Sequence, residues 1–425
     1  MKYYIKNFGC KVNQYEGELV AAALESAGYV KTEDVSEADV IVINTCVVTH
    51  RGERDAYRAL RRALRHRKPG AIVAVIGCLP ELKPVEAVDF YGNYRDFLRF
   101  MGLNIPALTP FQHRARPFLK VQEGCNFRCS YCIVPFVRGR SRSRPLDEII
   151  REAVRLRDAG YRELVITGTQ VGDWGREWGM SLVDLLERLI EVEGVRFRLS
   201  SILPLHVTER LIDFIEGHPK RLVPHLHISL QSASDRILKL MRRPYRLRQF
   251  DSTIQKLVQA VPDIAIGTDV IAGFPTETEE DFEATKSYLE SSPICHVHVF
   301  EYSPRPGTEA EKLPQVPQHV RKRRVHALLE IAHRKKTGYV RRFVGRVLEV
   351  VAEKQLGDNE FVGTSENYIQ VRFIGKGIKL REIYRVKIEG VEDVRAYGRV
   401  ETPALHPTDV EVRDGWKHEA ERVKG

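Results

Sequence analysis

Long apolar runs are missing from this 425-residue sequence. Its apolar stretches, such as 71–76, fall far short of the roughly 20 residues that span a bilayer. The start, Met1-Lys-Tyr-Tyr-Ile-Lys, has no apolar signal core. A cytoplasmic protein with no membrane partner is expected. Cysteine is scarce as well, at seven residues. An odd, small number in a chain this long excludes a disulfide-stapled scaffold, and in a reducing compartment such residues more often bind metal or react. Internal repeats and low-complexity segments are absent too. With 43% hydrophobic residues and a mean hydropathy of −0.30, the chain can bury real cores, so disorder is excluded. Length suggests two or three domains.

What the sequence has in excess is positive charge: 67 Lys+Arg against 57 Asp+Glu, a formal +10. The excess is clustered. From His319 to Arg346 ten basic residues face one acid, Glu330, and from Arg51 to Lys68 eight face Glu53 and Asp55. A third cluster covers Arg236 to Arg248. Each alone could be a solvated helix face; three together favour a polyanion, of which nucleic acid is the commonest. Arg321, Arg323, Arg324, Lys335, Lys336, Arg341 and Arg342 are the candidate RNA contacts.

Apolar strands alternate with amphipathic helices over the first ninety residues, which argues for a parallel sheet with crossover helices. Strands at 3–8, 40–44 and 71–77 are each followed within two residues by a cysteine: Cys10, Cys46 and Cys78. The carboxyl ends of parallel strands share one edge, so these three residues should converge there. From 117 to 302 the alternation resumes with six strand candidates, at 118–122, 163–167, 197–203, 225–230, 265–272 and 296–302. Six βα units make an open barrel or an incomplete eight-fold one, with its active site at the carboxyl ends of the strands. Residues 347–401 read as short strands punctuated by glycine, a small antiparallel β-barrel of a kind that often binds RNA. The expected fold is thus α/β: an amino-terminal parallel-sheet domain (1–110), a partial (β/α)6 core (111–337), a small all-β barrel (338–401) and a tail (402–425).

Cys125-Asn-Phe-Arg-Cys129-Ser-Tyr-Cys132 follows the first of the six strands. Roughly 0.002 such Cx3Cx2C matches are expected by chance in a chain of this composition. Three thiolates on one loop can hold three irons of a [4Fe-4S] cluster and leave the fourth open. Zinc is the alternative, with a fourth ligand still to find; His113 is the nearest upstream histidine.

With Tyr131 just before the last cysteine, this motif resembles the radical S-adenosylmethionine (SAM) superfamily, in which the open iron chelates SAM. Phe8-Gly9-Cys10-Lys11-Val12-Asn13-Gln14, Asn44-Thr45-Cys46-Val47-Val48 and Gly77-Cys78 resemble the three signature segments of the methylthiotransferases. Further similarities are Ile133 to Arg140, Ser229-Leu230-Gln231-Ser232, Leu240 to Tyr245, Gly273 to Thr278 and Tyr302 to Thr308. The last domain stands where that family has its TRAM β-barrel. The resemblance implies that Cys125, Cys129 and Cys132 bind the SAM-cleaving [4Fe-4S] cluster, and that Cys10, Cys46 and Cys78 bind an auxiliary [4Fe-4S] cluster that carries sulfur. It also implies a tRNA anticodon loop as substrate and a one-electron donor such as flavodoxin or ferredoxin. Lys11-Val12-Asn13-Gln14 is similar to the branch acting on N6-threonylcarbamoyladenosine. The other branches act on isopentenyladenosine or on a ribosomal protein; a non-catalytic iron-sulfur RNA-binding protein is the alternative of another class.

Two departures from the family pattern stand out. Ser229 and Ala233 replace a proline and a glycine, and Thr167-Gly168-Thr169-Gln170 lacks the superfamily's Gly-Gly-Glu. Gly168, Gln231 and Gly273, at carboxyl ends of the expected strands, are the candidate SAM-pocket residues. Asp269 and Glu277 are read as substrate partners or as strand-end and helix-start acids, the latter favoured for Glu277. Arg138, Arg140, Arg142 and Arg144 suit phosphate contacts or solvated loop charges. Cys295 is expected as a core thiol. His225 and His227 are expected to alternate faces of a strand rather than bind metal.

Overall fold

A computed structural model describes residues 1–82, 86–104 and 114–402. His113 and most of the expected tail, 403–425, lie outside the described residues.

The first sheet contains β1 (Lys2–Asn7), β2 (Val30–Lys31), β3 (Val40–Thr45), β4 (Ile72–Gly77) and β5 (Phe90–Tyr91). Their order is β2-β1-β3-β4-β5, and every pairing is parallel. The central strand β3 is buried at all six positions, as a strand with both faces covered must be. Its apolar run Val-Ile-Val-Ile is what the period predicts. The helix after β1 spans Lys11–Ser26 and begins directly at Cys10, its N-cap. The helix His50–His66 is capped by the Thr49 side chain, buries Ala56, Leu60 and Ala63, and leaves its arginines on the opposite face.

Next come β6 (Phe118–Lys120), the short hairpin β7 (Gln122–Glu123) with β8 (Arg142–Ser143), β9 (Glu163–Thr167), β10 (Arg196–Leu199), β11 (Ser201–Ile202), β12 (His225–Ile228), β13 (Ala265–Ala272) and β14 (His296–Glu301). Apart from the antiparallel hairpin, they form two parallel sheets of order β10-β9-β6 and β11-β12-β13-β14. The expected strand 197–203 is broken at Ser200, so its halves β10 and β11 serve different sheets. Ser200 N–H still bonds Ile166 O at 3.1 Å. Side chains alternate along these strands. Leu226, Ile228, Ile266, Val270, Ala272, Val297 and Val299 belong to the main core. His225, His227, Gly267, Asp269, His296 and His298 occupy the opposite parity. His225 and His227 therefore share a face instead of alternating, because residues two apart on a strand point the same way.

The helix Gln318–Arg341 packs along β14 and runs unbroken past position 337. It leads into a closed barrel of five strands: β15 (Val347–Gly357), β16 (Glu360–Ser365), β17 (Gln370–Ile374), β18 (Ile383–Glu392) and β19 (Arg395–Thr402). The expectation of an antiparallel barrel fails at one pair: β17 and β19 run parallel. This barrel sits against the amino-terminal ends of the parallel strands. Glu163 on β9 is fully buried and takes Arg196 at 2.8 Å, Arg198 at 2.7 Å and Arg116 at 3.3 Å. Arg198 donates onward to Ser365 O and Glu366 O, and Arg196 to Glu349. Tyr368 stacks on His225, ring centroids 4.2 Å apart. Among the described residues no helix is long and apolar enough to cross a membrane.

Candidate active site

Cys10, Cys46 and Cys78 follow β1, β3 and β4, and the shared strand edge brings them together around Asn13. The Asn13 side-chain oxygen lies 3.9 Å from the Cys10 sulfur and 3.7 Å from that of Cys78, while its amide donates to Thr45 O at 2.6 Å. Gly9, at φ +93°, packs so closely that an added Cβ would stand 2.8 Å from the Cys46 sulfur. Only a residue without a side chain allows that approach. Burial pushes the Cys78 thiol up to about 12 and raises that of Cys46.

Cys125, Cys129 and Cys132 occupy the loop between β7 and β8. Cys125 N–H bonds Gly139 O at 3.1 Å and Cys132 N–H bonds Cys129 O at 3.1 Å, so the loop is closed on itself. Gly124 has φ +75°, and a Cβ there would fall 2.0 Å from Arg140 O. Burial, together with the neighbouring Cys129, pushes the Cys132 thiol up to about 12. The buried guanidinium of Arg243 donates to the Cys129 sulfur at 3.2 Å and to the Tyr245 hydroxyl at 2.9 Å. Tyr131 packs edge-on against Phe274.

The donor chemistry fits iron-sulfur clusters. Each trio offers thiols alone, and Cys46, Cys78 and Cys132, whose thiols burial pushes up, are costly to ionise without a compensating cation. In neither trio do all three sulfurs lie within 4.8 Å of one another. Tetrahedral zinc, with Zn–S bonds of roughly 2.3 Å, would draw its sulfurs to roughly 3.8 Å; a cubane holds its cysteines farther apart. Arg138, six residues after Cys132, joins the two regions. It pairs with Glu16 at 2.7 Å and Glu123 at 3.3 Å, hydrogen-bonds Asn13 and faces the Cys78 thiol. The expectation of a phosphate contact at Arg138 is corrected by these buried partners. Arg144 is likewise engaged, with Glu152 at 2.6 Å. Arg140 and Arg142 are exposed.

Gly168 abuts Gln122, whose amide oxygen would be 3.0 Å from an added Cβ. Gln231 adopts φ +70° and exchanges backbone bonds with Asp269 and Ile271. Gly273, at φ +72°, has the Arg321 side chain over it and donates to Glu277 at 2.8 Å. Glu277 is thus no solvated helix-start acid: it is buried, pairs with Arg324 at 2.7 Å, and burial pushes its carboxyl up to about 7 despite that arginine. Among the RNA candidates, Arg324 is corrected, since its side chain is only 4% exposed between Glu277 and Glu279. Arg321 donates to Tyr302 O at 2.8 Å, and Lys335 to Ser292 O at 2.5 Å. Arg342 pairs with Asp263. Arg323 and Arg341 are exposed and Lys336 is half-buried. Cys295 is buried in the core that the second sheet shares with the small barrel. Asn13, Arg243 and Arg305 were not singled out in the sequence, although each lies inside a quoted motif segment.

Residues 119–289 match the Radical SAM superfamily, and residues 2–95 match a family described as uncharacterized protein family UPF0004. The threonylcarbamoyladenosine tRNA methylthiotransferase MtaB of Bacillus subtilis (strain 168) is 36% identical over 419 residues, covering 89% of this chain and 92% of that one. The chain belongs to the radical SAM tRNA methylthiotransferases. The tRNA-2-methylthio-N(6)-dimethylallyladenosine synthase of Thermotoga petrophila is 33% identical over 445 residues, covering 96% of this chain and all of its own. The radical SAM methyltransferase TsrM of Kitasatospora setae, with tryptophan and a SAM analogue bound, shares the fold at TM-score 0.50 and 12% identity, over 73% of this chain and 75% of that one. As a member of this family of transferases, the chain works with [4Fe-4S] clusters and SAM.

Proposed function

We propose that this methylthiotransferase replaces the C2 hydrogen of N6-threonylcarbamoyladenosine, next to the anticodon of tRNA, with a methylthio group. The observation that carries the reading is the first cysteine segment, Cys10-Lys11-Val12-Asn13-Gln14, whose Asn13 stands between the Cys10 and Cys78 sulfurs. The relatives named for threonylcarbamoyladenosine, at 36% identity, support the same branch. Cys125, Cys129 and Cys132 hold the SAM-cleaving cluster, and Cys10, Cys46 and Cys78 the auxiliary one. When bound, the clusters and SAM supply the electron transfer, the hydrogen-abstracting radical, the sulfur and the methyl group.

The chain's own residues position and exclude. Arg243 keeps a positive charge against the Cys129 thiolate, and Tyr131 and Phe274 close the pocket wall beside it. Gly168, Gln231 and Gly273 let the backbone approach SAM. The exposed arginines of helix His50–His66 lie beside an open cleft of about 650 Å³ lined by His50, Glu53, Arg54, Tyr57, Arg61, Arg305 and Pro306. With Arg323 and Arg341 they suit the phosphates of an anticodon stem, and the five-stranded barrel takes the place of a TRAM module. An unpaired loop lets one adenine be splayed into the site at low cost. A flavodoxin or ferredoxin supplies the electron, in the cytoplasm.

Mass spectrometry of tRNA nucleosides from cells with and without the gene tests the reading. Loss of 2-methylthio-N6-threonylcarbamoyladenosine is expected. Its persistence alongside loss of the isopentenyl counterpart would assign the chain to the other tRNA branch.

A further inference from the structure

On the face of β12, β13 and β14 opposite the apolar core, His227, Asp269 and His298 meet. His227 Nε2 lies 3.0 Å and His298 Nδ1 3.4 Å from the same oxygen, Asp269 Oδ1. The two rings are 5.0 Å apart, and the ligand atoms of all three residues fall within 4.8 Å of one another. The strand registers explain the meeting: Gly267 is opposite His227 and Asp269 is opposite His298. Gly267 is needed, because a Cβ there would stand 2.7 Å from His227 Nδ1.

The cluster has direction. Beneath it, His225 and His296 are buried and held neutral by burial, with Tyr368 closing that end. Above it, Gln231 bonds the Asp269 backbone, four residues before Gly273. β14 is the edge strand of its sheet, and the His298 side chain is 56% exposed. The cluster is therefore open to solvent on its His298 side.

We propose that His227, Asp269 and His298 form the subsite for the N6 substituent of the target nucleoside, a substituent that ends in a carboxylate and a hydroxyl. The proposal rests on the threonylcarbamoyladenosine reading above. Its chemistry is direct. One aspartate is shared by two imidazoles, so each ring is oriented by Asp269; His227 Nδ1 faces Gly267, while the other nitrogen of the exposed His298 stays available. His227 and His298 hold the Asp269 carboxyl well below its usual range, despite burial, so the acid is an anion. A second carboxylate entering from the open side pairs with a His298 ring that carries a proton on each nitrogen, and Asp269 accepts from the hydroxyl. An isopentenyl substituent has neither group and would leave these atoms unpaired, which is how a polar pocket rejects an apolar analogue.

The test uses reconstituted holoenzyme and anticodon stem-loop RNAs carrying N6-threonylcarbamoyladenosine, its methyl ester, isopentenyladenosine or adenosine. The wild type is expected to bind the acid roughly tenfold more tightly than the ester. His298→Ala and His298→Asn should lose roughly ten- to hundredfold for the acid and under about twofold for the ester and for adenosine. Iron content and circular dichroism establish that each variant has folded. Equal binding of acid and ester by the wild type, or equal losses on all RNAs in both variants, overturns the subsite. So does one divalent metal per chain, beyond cluster iron, that the variants lose. A wild type that methylthiolates only the isopentenyl RNA overturns the substrate reading itself; one that methylthiolates the threonylcarbamoyl RNA without preferring acid over ester overturns the subsite alone.

Discussion

Gly124 shows how much a single residue decides about a cluster cradle. Its φ of +75° and the 2.0 Å that would separate a Cβ from Arg140 O are both unavailable to alanine, and the obstruction is backbone, which cannot swing aside. The next residue is Cys125, whose N–H holds Gly139 O. Gly124→Ala should therefore open the loop and empty the first site while sparing the auxiliary trio. Reconstituted protein should fall from about eight irons per chain to about four, read by colorimetric iron assay; full retention would show that the loop tolerates the change. The cysteines themselves were legible in the sequence because thiol spacing is a one-dimensional property. Their partners were not. Arg243 touches Cys129 across 114 positions and Arg138 reaches Asn13 across 125, and no local pattern distinguishes such arginines from solvated ones.

Among the elements, strand positions followed directly from apolar period: β13 was expected at 265–272 and is found there. What the period could not give was which strand faces carry polar groups inward, or that a helix cap is a cysteine. Nor could it show that the small barrel is fastened by buried charge. Glu163 keeps its carboxyl well below the usual range because Arg198, Arg196 and Arg116 outweigh its burial. Glu366, on the loop after β16, has the opposite fate: burial pushes it from 4.5 up to about 7 although Arg196 pulls it down. The signs of the two contributions to stability differ. Glu163 contributes stability that is present above about 4.5 and lost as the pH falls below it. Glu366 retains its proton in the folded state where the unfolded chain has released it, so its contribution weakens as pH rises from 4.5 to about 7. Glu366→Gln, which can still accept from Glu349 N–H, should remove that slope. Relative to wild type it should gain about 2–3 kcal/mol between pH 5 and pH 8, measured from urea midpoints at the two pH values. An unchanged difference between wild type and variant at both would show that Glu366 ionises as freely folded as unfolded.

In the whole molecule, the proposed function needs the two cysteine trios held in one geometry, and the joint between them is made by few residues. Arg305, in the loop after β14, has only 2% of its side chain exposed. It donates to Val47 O and to Glu53, both at 2.8 Å, and meets His50 Nδ1 at 2.6 Å. His50 N–H in turn donates to Ser303 Oγ at 3.0 Å. Val47 follows Cys46 directly, so Arg305 ties the auxiliary trio's loop to the second sheet, much as Arg138 does from the other side. The three bonds require a planar fork, which lysine does not provide. Arg305→Lys should leave iron content unchanged and let SAM cleavage to 5′-deoxyadenosine continue, because both trios remain intact. Transfer of the methylthio group should fall by roughly a hundredfold, the usual consequence of a misplacement of about 1 Å between reacting partners. The ratio of 5′-deoxyadenosine formed to methylthiolated RNA, taken from one reaction mixture, separates this loss of alignment from simple unfolding, which would depress both. If the ratio stays at its wild-type value, the joint at Arg305 does not set the distance between the two centres, and alignment must come from the Arg138–Glu16–Asn13 side alone.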